Sequence, residues 1–298
     1  MTYMKPDQLA ESMVQMGAAK AKLPIQDLLI RGTIAGALLG AGTTLAFTAE
    51  VQTQLGIIGA LLFPACFVIV ILLGLELVTG NFALVPLAVM EKEATIKEMV
   101  SNFFWVILGH LIGAILYASL YIVSLTHLGA IPITESPIAQ KLIHVAEAKT
   151  LAYAALGSSG LLVVFIKAML CNWLVCLGVV IAMTSMSVGG KIAAMWLPIL
   201  IFFAQGFEHA VVNMFVIPAG MMLGAEVTVG QWLIWNQVPV LAGNFVGGLL
   251  FTGIAIYVTH RRTEGTAQVI NERHPAKKFN GKSGMRTEKE VESSLQKF

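Results

Sequence analysis

Apolar residues run in six long stretches along this chain, near residues 28–49, 56–90, 99–126, 159–186, 191–222 and 231–260, with short polar connections between them. Each exceeds the roughly 20 residues a helix needs to cross the hydrocarbon of a bilayer. The pattern predicts an all-α membrane protein with six transmembrane helices. Ahead of them, residues 6–22 predict a short amphipathic helix, with Pro6 in its first turn and Leu9, Met13 and Met16 on one face. It is expected to lie in the cytoplasmic membrane interface. The expected organisation is an N-terminal cytoplasmic helix (1–26), a six-span domain (27–262) and a disordered cytoplasmic tail (263–298), polar and without an apolar period. The domain divides into halves at about 27–126 and 158–262, with residues 127–157 as linker.

The second and fifth stretches are long, and both carry the same polar punctuation. Gly74, Glu76, Asn81, Pro86 and Met90 recur 132 residues later as Gly206, Glu208, Asn213, Pro218 and Met222. Downstream, Gly109-His110 with Gly113 is echoed by Gly243-Asn244 with Gly247. A glycine, a carboxylate and an asparagine inside a hydrophobic span should break the helix in mid-membrane. Two such breaks in corresponding places point to a transport site between the halves. With three spans per half, the second half enters from the opposite side, so the repeat is inverted, 3+3, about an axis in the membrane plane. Gly32, Gly36 and Gly40 form a small-residue stripe on the first span, which is a packing signal.

Composition agrees and narrows the class. Apolar residues make up 57% of the chain, charged residues 12%, and the mean hydropathy is +0.79. This excludes an ordinary soluble domain. A net charge of +2 with no interleaved aromatic residues does not suit a nucleic-acid partner. On the predicted topology, 16 of the 19 Lys and Arg residues fall on one side, which makes both termini cytoplasmic. Asp7 and Glu11 argue against a cleavable leader. Cys66, Cys171 and Cys176 show no C-x-x-C pairing, so neither a metal nor any other cofactor is expected.

Ionisable residues inside a bilayer are functional candidates by default. Here they are Glu76, His110, Lys167, Glu208 and His209. Glu76 and Glu208 should accept hydrogen bonds from backbone N–H groups freed by the breaks, with Asn81 and Asn213 bridging each loop from its other end. His209 has Leu77 as its repeat mate, so the fold itself does not require a polar group there. It is expected to act as a hydrogen-bond donor or proton relay, with Asn172 as its partner. His110 and Asn244 are read as helix–helix hydrogen bonds, and Lys167 as snorkelling or sitting at a subunit contact.

These residues resemble the formate/nitrite transporter family. The resemblance is carried by Gly74-Leu-Glu-Leu-Val-Thr-Gly-Asn81, Leu170-Cys-Asn-Trp-Leu-Val-Cys176, Gly206-Phe-Glu-His-Ala-Val-Val-Asn-Met214 and Gly243-Asn-Phe-Val-Gly-Gly248. It implies an aquaporin-like fold, a homopentamer in the plasma (inner) membrane with one pore per protomer, and small monovalent anions as substrates, formate first and nitrite next. It also implies that Thr79 and His209 match the family's loop threonine and central histidine. Phe63, Phe67, Leu77 and Phe202 match its apolar constrictions, and Asn172 and Val175 its pore-facing positions on the fourth span. A basic residue is expected just outside that span. Lys149 fits with an insertion around Gly157–Gly160, whereas a gapless alignment puts Leu156 there.

Elementary electrostatics suggests how an acid would pass such a throat. Moving a bare carboxylate into low dielectric costs of order 20 kcal/mol before relaxation. Protonating a group of pKa near 4 at neutral pH costs about 4 kcal/mol. The expected route is therefore capture as the anion and passage with a proton, as the neutral acid. The competing reading is a cation or neutral-solute channel that uses Glu76 and Glu208 as ligands. An intramembrane enzyme lacks a constellation, since there is no H-E-x-x-H and no serine beside a base in either break.

Overall fold

A computed structural model describes residues 3–260, so the expected tail at 263–298 lies outside the described residues. Those residues are helical, apart from one isolated bridge between Tyr3 and Ser185. Helix α1 (Pro6–Ala21) precedes α2 (Ile25–Thr53), the first span. The second span consists of α3 (Gly56–Leu62) and α4 (Pro64–Leu72), then a break, then α5 (Val78–Met90). Helix α6 (Ile96–Leu125) closes the first half. The second half opens with α7 (Pro137–Ala148) and a one-turn α8 (Leu151–Ala155), followed by the fourth span α9 (Ser158–Met183). Next come α10 (Val188–Ala204), a second break and α11 (Ala210–Met222). The last span starts with α12 (Val229–Trp232), continues through α13 (Val238–Gly248) and runs to His260, with π-helical segments at Leu233–Gln237 and Leu249–Ile254.

The two breaks have the same cause. Gly74 and Gly206 both take φ +63°, the left-handed conformation that side chains avoid. Each stops a half-helix, and a short extended stretch restarts the next one at Val78 or Ala210. Backbone-to-backbone packing fixes the frame around them. A Cβ on Gly113 would fall 1.8 Å from the Thr33 carbonyl oxygen, and one on Gly109 2.6 Å from that of Leu29, so α6 lies directly on α2. In the second half, Gly243 and Gly247 press on the carbonyls of Phe165 and Met169, so α13 lies on α9 in the same way.

Two segments differ from expectation. The apolar face of α1 does not lie on lipid: Leu9 and Met13 are buried, and Gly17 fits so closely that a Cβ would stand 2.1 Å from the Leu84 carbonyl oxygen on α5. Met16, expected on that face, is 42% exposed. Residues 127–157, read as a linker, contain α7 and α8. Helix α7 packs on α11 as α1 packs on α5, with Ala146 against Gly220. Each half therefore begins with a helix that hydropathy alone does not bring into the repeat.

Candidate functional site

The two breaks bring their polar residues into matched networks. Glu76 accepts from the Lys20 ammonium at 2.8 Å and from Asn81 Nδ2 at 2.8 Å. Glu208 accepts from Lys149 at 2.8 Å and from Asn213 Nδ2 at 2.8 Å. Asn81 also donates to Asn102 Oδ1, and Asn102 donates to the Lys20 carbonyl, both at 2.9 Å. Asn213, Asn236 and the Lys149 carbonyl repeat this, again at 2.9 Å for each bond. Asn236 reaches its place from the first π-helical segment of the last span. The second half adds Tyr153, whose hydroxyl donates to Glu208 at 2.8 Å. Both carboxylates are 1% exposed. An ammonium group carries three donors, and each lysine spends one on its carboxylate.

The carboxylates do not hold the freed backbone N–H groups, contrary to expectation. Glu76 and Glu208 precede the residues that cap α5 and α11, Leu77 and His209, whereas first-turn N–H groups point back along the helix axis. Those donors go elsewhere. Val78 N–H donates to His110 Nε2 at 3.1 Å, and His110 Nδ1 donates to the Gly32 carbonyl at 2.8 Å. Ala210 N–H donates to Asn244 Oδ1 at 2.9 Å, while Asn244 Nδ2 donates to the carbonyls of Ala168 and Glu208. His110 and Asn244 thus join helices, as expected, and also cap the broken spans.

At the centre, Thr79 Oγ1 lies 3.2 Å from His209 Nε2, with both side chains buried. His209 caps α11, and its Nδ1 accepts from the Val212 N–H at 3.3 Å. An accepting Nδ1 carries a lone pair, so the ring proton is on Nε2 and is donated to Thr79. The threonine hydroxyl then keeps its own proton for another acceptor. The expected Asn172–His209 bond is not made. Asn172 Nδ2 instead donates to the Thr79 carbonyl at 3.0 Å and to the Asn244 carbonyl at 2.6 Å, because Gly248 brings α13 close to it. Asn172 Oδ1 is buried without a partner. Cys176 Sγ adds a second donor to the Thr79 carbonyl at 3.1 Å.

Apolar groups surround this contact. Phe202 stacks on the His209 ring with centroids 5.6 Å apart, and Phe63 meets Phe202 edge-on at 5.8 Å. Phe67, Leu77 and Val175 are buried in the same core cluster. On the Lys20 side a cavity of about 350 Å³ is lined by Lys20, Arg31, Glu76, Leu77, Asn81 and Lys191, among others. Lys149 occupies the corresponding place in the other half, while Leu156 is 58% exposed. The repeat explains why a gapless alignment misplaces it. Lys20 and Lys149 stand 129 residues apart, but Gly32 and Ala168, which take equivalent bonds from His110 and Asn244, stand 136 apart. The seven extra residues fall after Lys149, in the stretch containing α8 and Gly157 at φ +57°. Lys167 lies 5.7 Å from the centre of the Tyr153 ring.

Sequence reasoning did not find Lys20, Asn102, Asn236 or Tyr153. The first three carry a usable signal, since each has a like residue at the repeat position (Lys149, Asn236 and Asn102). Extending the repeat outward from the two breaks would have reached them. Tyr153 sits in the seven-residue insertion and has no such echo.

Comparison with known proteins places this arrangement. The profile of the formate/nitrite transporter family matches residues 7–258. An uncharacterized transporter of Bacillus subtilis (strain 168), YrhG, is 36% identical over 272 residues, covering 89% of this chain and 96% of its own. The formate channel BtFdhC of Bacillus thuringiensis is 31% identical, covering 88% of this chain and 98% of its own. A solved pentameric formate channel with formate bound superposes with a TM-score of 0.65 over 79% of this chain and 97% of its own, and at 22% identity it speaks for the fold alone. With the match covering both halves, both breaks and the residues between them, the chain belongs to the formate/nitrite transporter family.

Proposed function

We propose that this membrane transporter carries a small weak-acid anion together with a proton, formate foremost, through one pore in each protomer of a pentamer in the plasma (inner) membrane. Its termini face the cytoplasm, which puts Lys20 at the inner mouth and Lys149 at the outer one. One observation carries the reading: a single polar contact, Thr79 with His209 at 3.2 Å, sits in apolar surroundings between two half-helix breaks, with a buried lysine–carboxylate pair at each end. The formate channel BtFdhC and the pentameric formate channel support the substrate and the assembly.

The geometry supplies the steps. Donors left over on Lys149 or Lys20 gather the anion at a mouth. Beyond lie Phe202 and Phe63 on one side and Leu77 on the other, where a charge would shed its water at a cost far above that of protonation. The neutral acid finds partners at the centre. Its carbonyl oxygen accepts the free Thr79 hydroxyl proton, and its own O–H donates to the unpartnered Asn172 Oδ1. An anion has no O–H and would turn its charge toward that oxygen. His209 holds Thr79 in place. Its single ring proton is already committed, so the proton that travels with the substrate comes from water in the mouth. The cation-channel alternative needs free carboxylates, yet Glu76 and Glu208 each hold a lysine and an asparagine.

Uptake of labelled formate into proteoliposomes tests the reading. The acid fraction rises about ten-fold for each pH unit lost above the pKa, so uptake should climb as external pH falls and should move one proton per formate. Uptake that follows membrane potential and ignores the proton gradient would defeat it.

A further inference from the structure

The 132-residue offset carries Thr79 onto Val211 and His209 onto Leu77. It holds in space as well as in sequence. The lysine–carboxylate, asparagine–carboxylate and asparagine–asparagine bonds of one half recur in the other at the same lengths, and both breaks share one glycine conformation. Thr79 and Val211 are each the second residue of their half-helix, and Leu77 and His209 each the residue that caps it. The Thr79–His209 contact therefore has a counterpart across the pseudo-two-fold axis that consists of two hydrocarbon side chains. Leu77 and Val211 are 2% and 0% exposed.

Resting on the weak-acid reading above, we propose that the centre of the pathway has two unlike walls, and that Val211, with Leu77, selects which weak acids pass. One wall, Thr79 with His209, offers hydrogen bonds. The other offers none, so the favoured solute has its oxygens along one edge and a compact apolar end opposite. Formic acid has this shape, with both oxygens on one side and a C–H on the other. Nitrous acid places a nitrogen lone pair where formic acid has the C–H. Against Leu77 and Val211 that lone pair gives up water and gains no donor. Formate should therefore outpace nitrite when the two are compared at equal concentrations of neutral acid.

Val211→Thr tests this, since threonine nearly matches valine in shape and brings a hydroxyl to the apolar wall. With both solutes measured in the same proteoliposomes, the variant should raise the nitrite-to-formate flux ratio about five-fold, the worth of one hydrogen bond. Val211→Ile, bulkier but apolar, should slow both solutes and leave the ratio where it was. Leu77→Thr, on the same wall, serves if Val211→Thr does not assemble. A wild-type ratio in the threonine variant that assembles overturns the proposal, as does a wild-type protein that passes nitrite faster than formate. Either result leaves weak-acid transport standing. A wild-type protein that carries neither solute removes the reading beneath both.

Discussion

His209 does two jobs with two nitrogens, one capping α11 and one holding Thr79. Substitutions can separate them. His209→Phe removes both and should nearly abolish formate flux, with about 1 kcal/mol of stability lost along with the cap. His209→Asn keeps a good capping oxygen but is too short to reach Thr79, so thermal stability in detergent should stay close to wild type while flux still collapses. Full flux in either variant would reduce the imidazole to packing. Of the centre, His209 was legible in the sequence because its repeat mate is leucine, and an unpaired polar residue in a break stands out. The partner assigned to Asn172 was not legible. An asparagine on an apolar span can face any of several neighbours, and here the close approach of Gly248 decides the matter.

At the scale of the helices, glycines act in two different ways, and substitution should tell them apart. Gly113→Ala forces a methyl group into the Thr33 carbonyl, so α2 and α6 must move apart, costing about 1–3 kcal/mol and the spacing of the whole half. Gly74→Ala meets nothing within 4 Å, and its cost is the left-handed backbone alone, about 1–2 kcal/mol. Melting curves should show both losses. Only the α2–α6 variant should also disturb assembly, and equal behaviour of the two would contradict the packing account. The six spans and both breaks could be read in advance because periodicity and punctuation are local. Helices α1 and α7 could not be placed that way. They are short, and what gives them meaning is the repeat partner each one packs against.

Across the whole molecule, the two halves invest in the same buried ion pair. Lys20 and Lys149 have side chains 18% exposed, against carboxylates at 2%. Removing either lysine leaves an uncompensated buried charge, so Lys20→Ala and Lys149→Ala should each cost about 3–5 kcal/mol. Pairing each with Glu76→Gln or Glu208→Gln should recover part of the loss. Matched shifts in melting temperature are expected, and a single sensitive half would mean that the symmetry is only geometric. Lys149 could be proposed from family resemblance, but Lys20 stayed hidden because a lysine near an N-terminus looks like an ordinary topology signal until α1 is seen to fold back onto α5.

The twinned mouths have a physiological corollary. A passage assembled from the same device installed twice, facing opposite ways, carries no ratchet, and on the proposed mechanism nothing in it distinguishes loading from unloading. A cell fermenting sugars and a cell scavenging the same acid could use one protein for both tasks, with the richer compartment alone deciding which way the traffic runs.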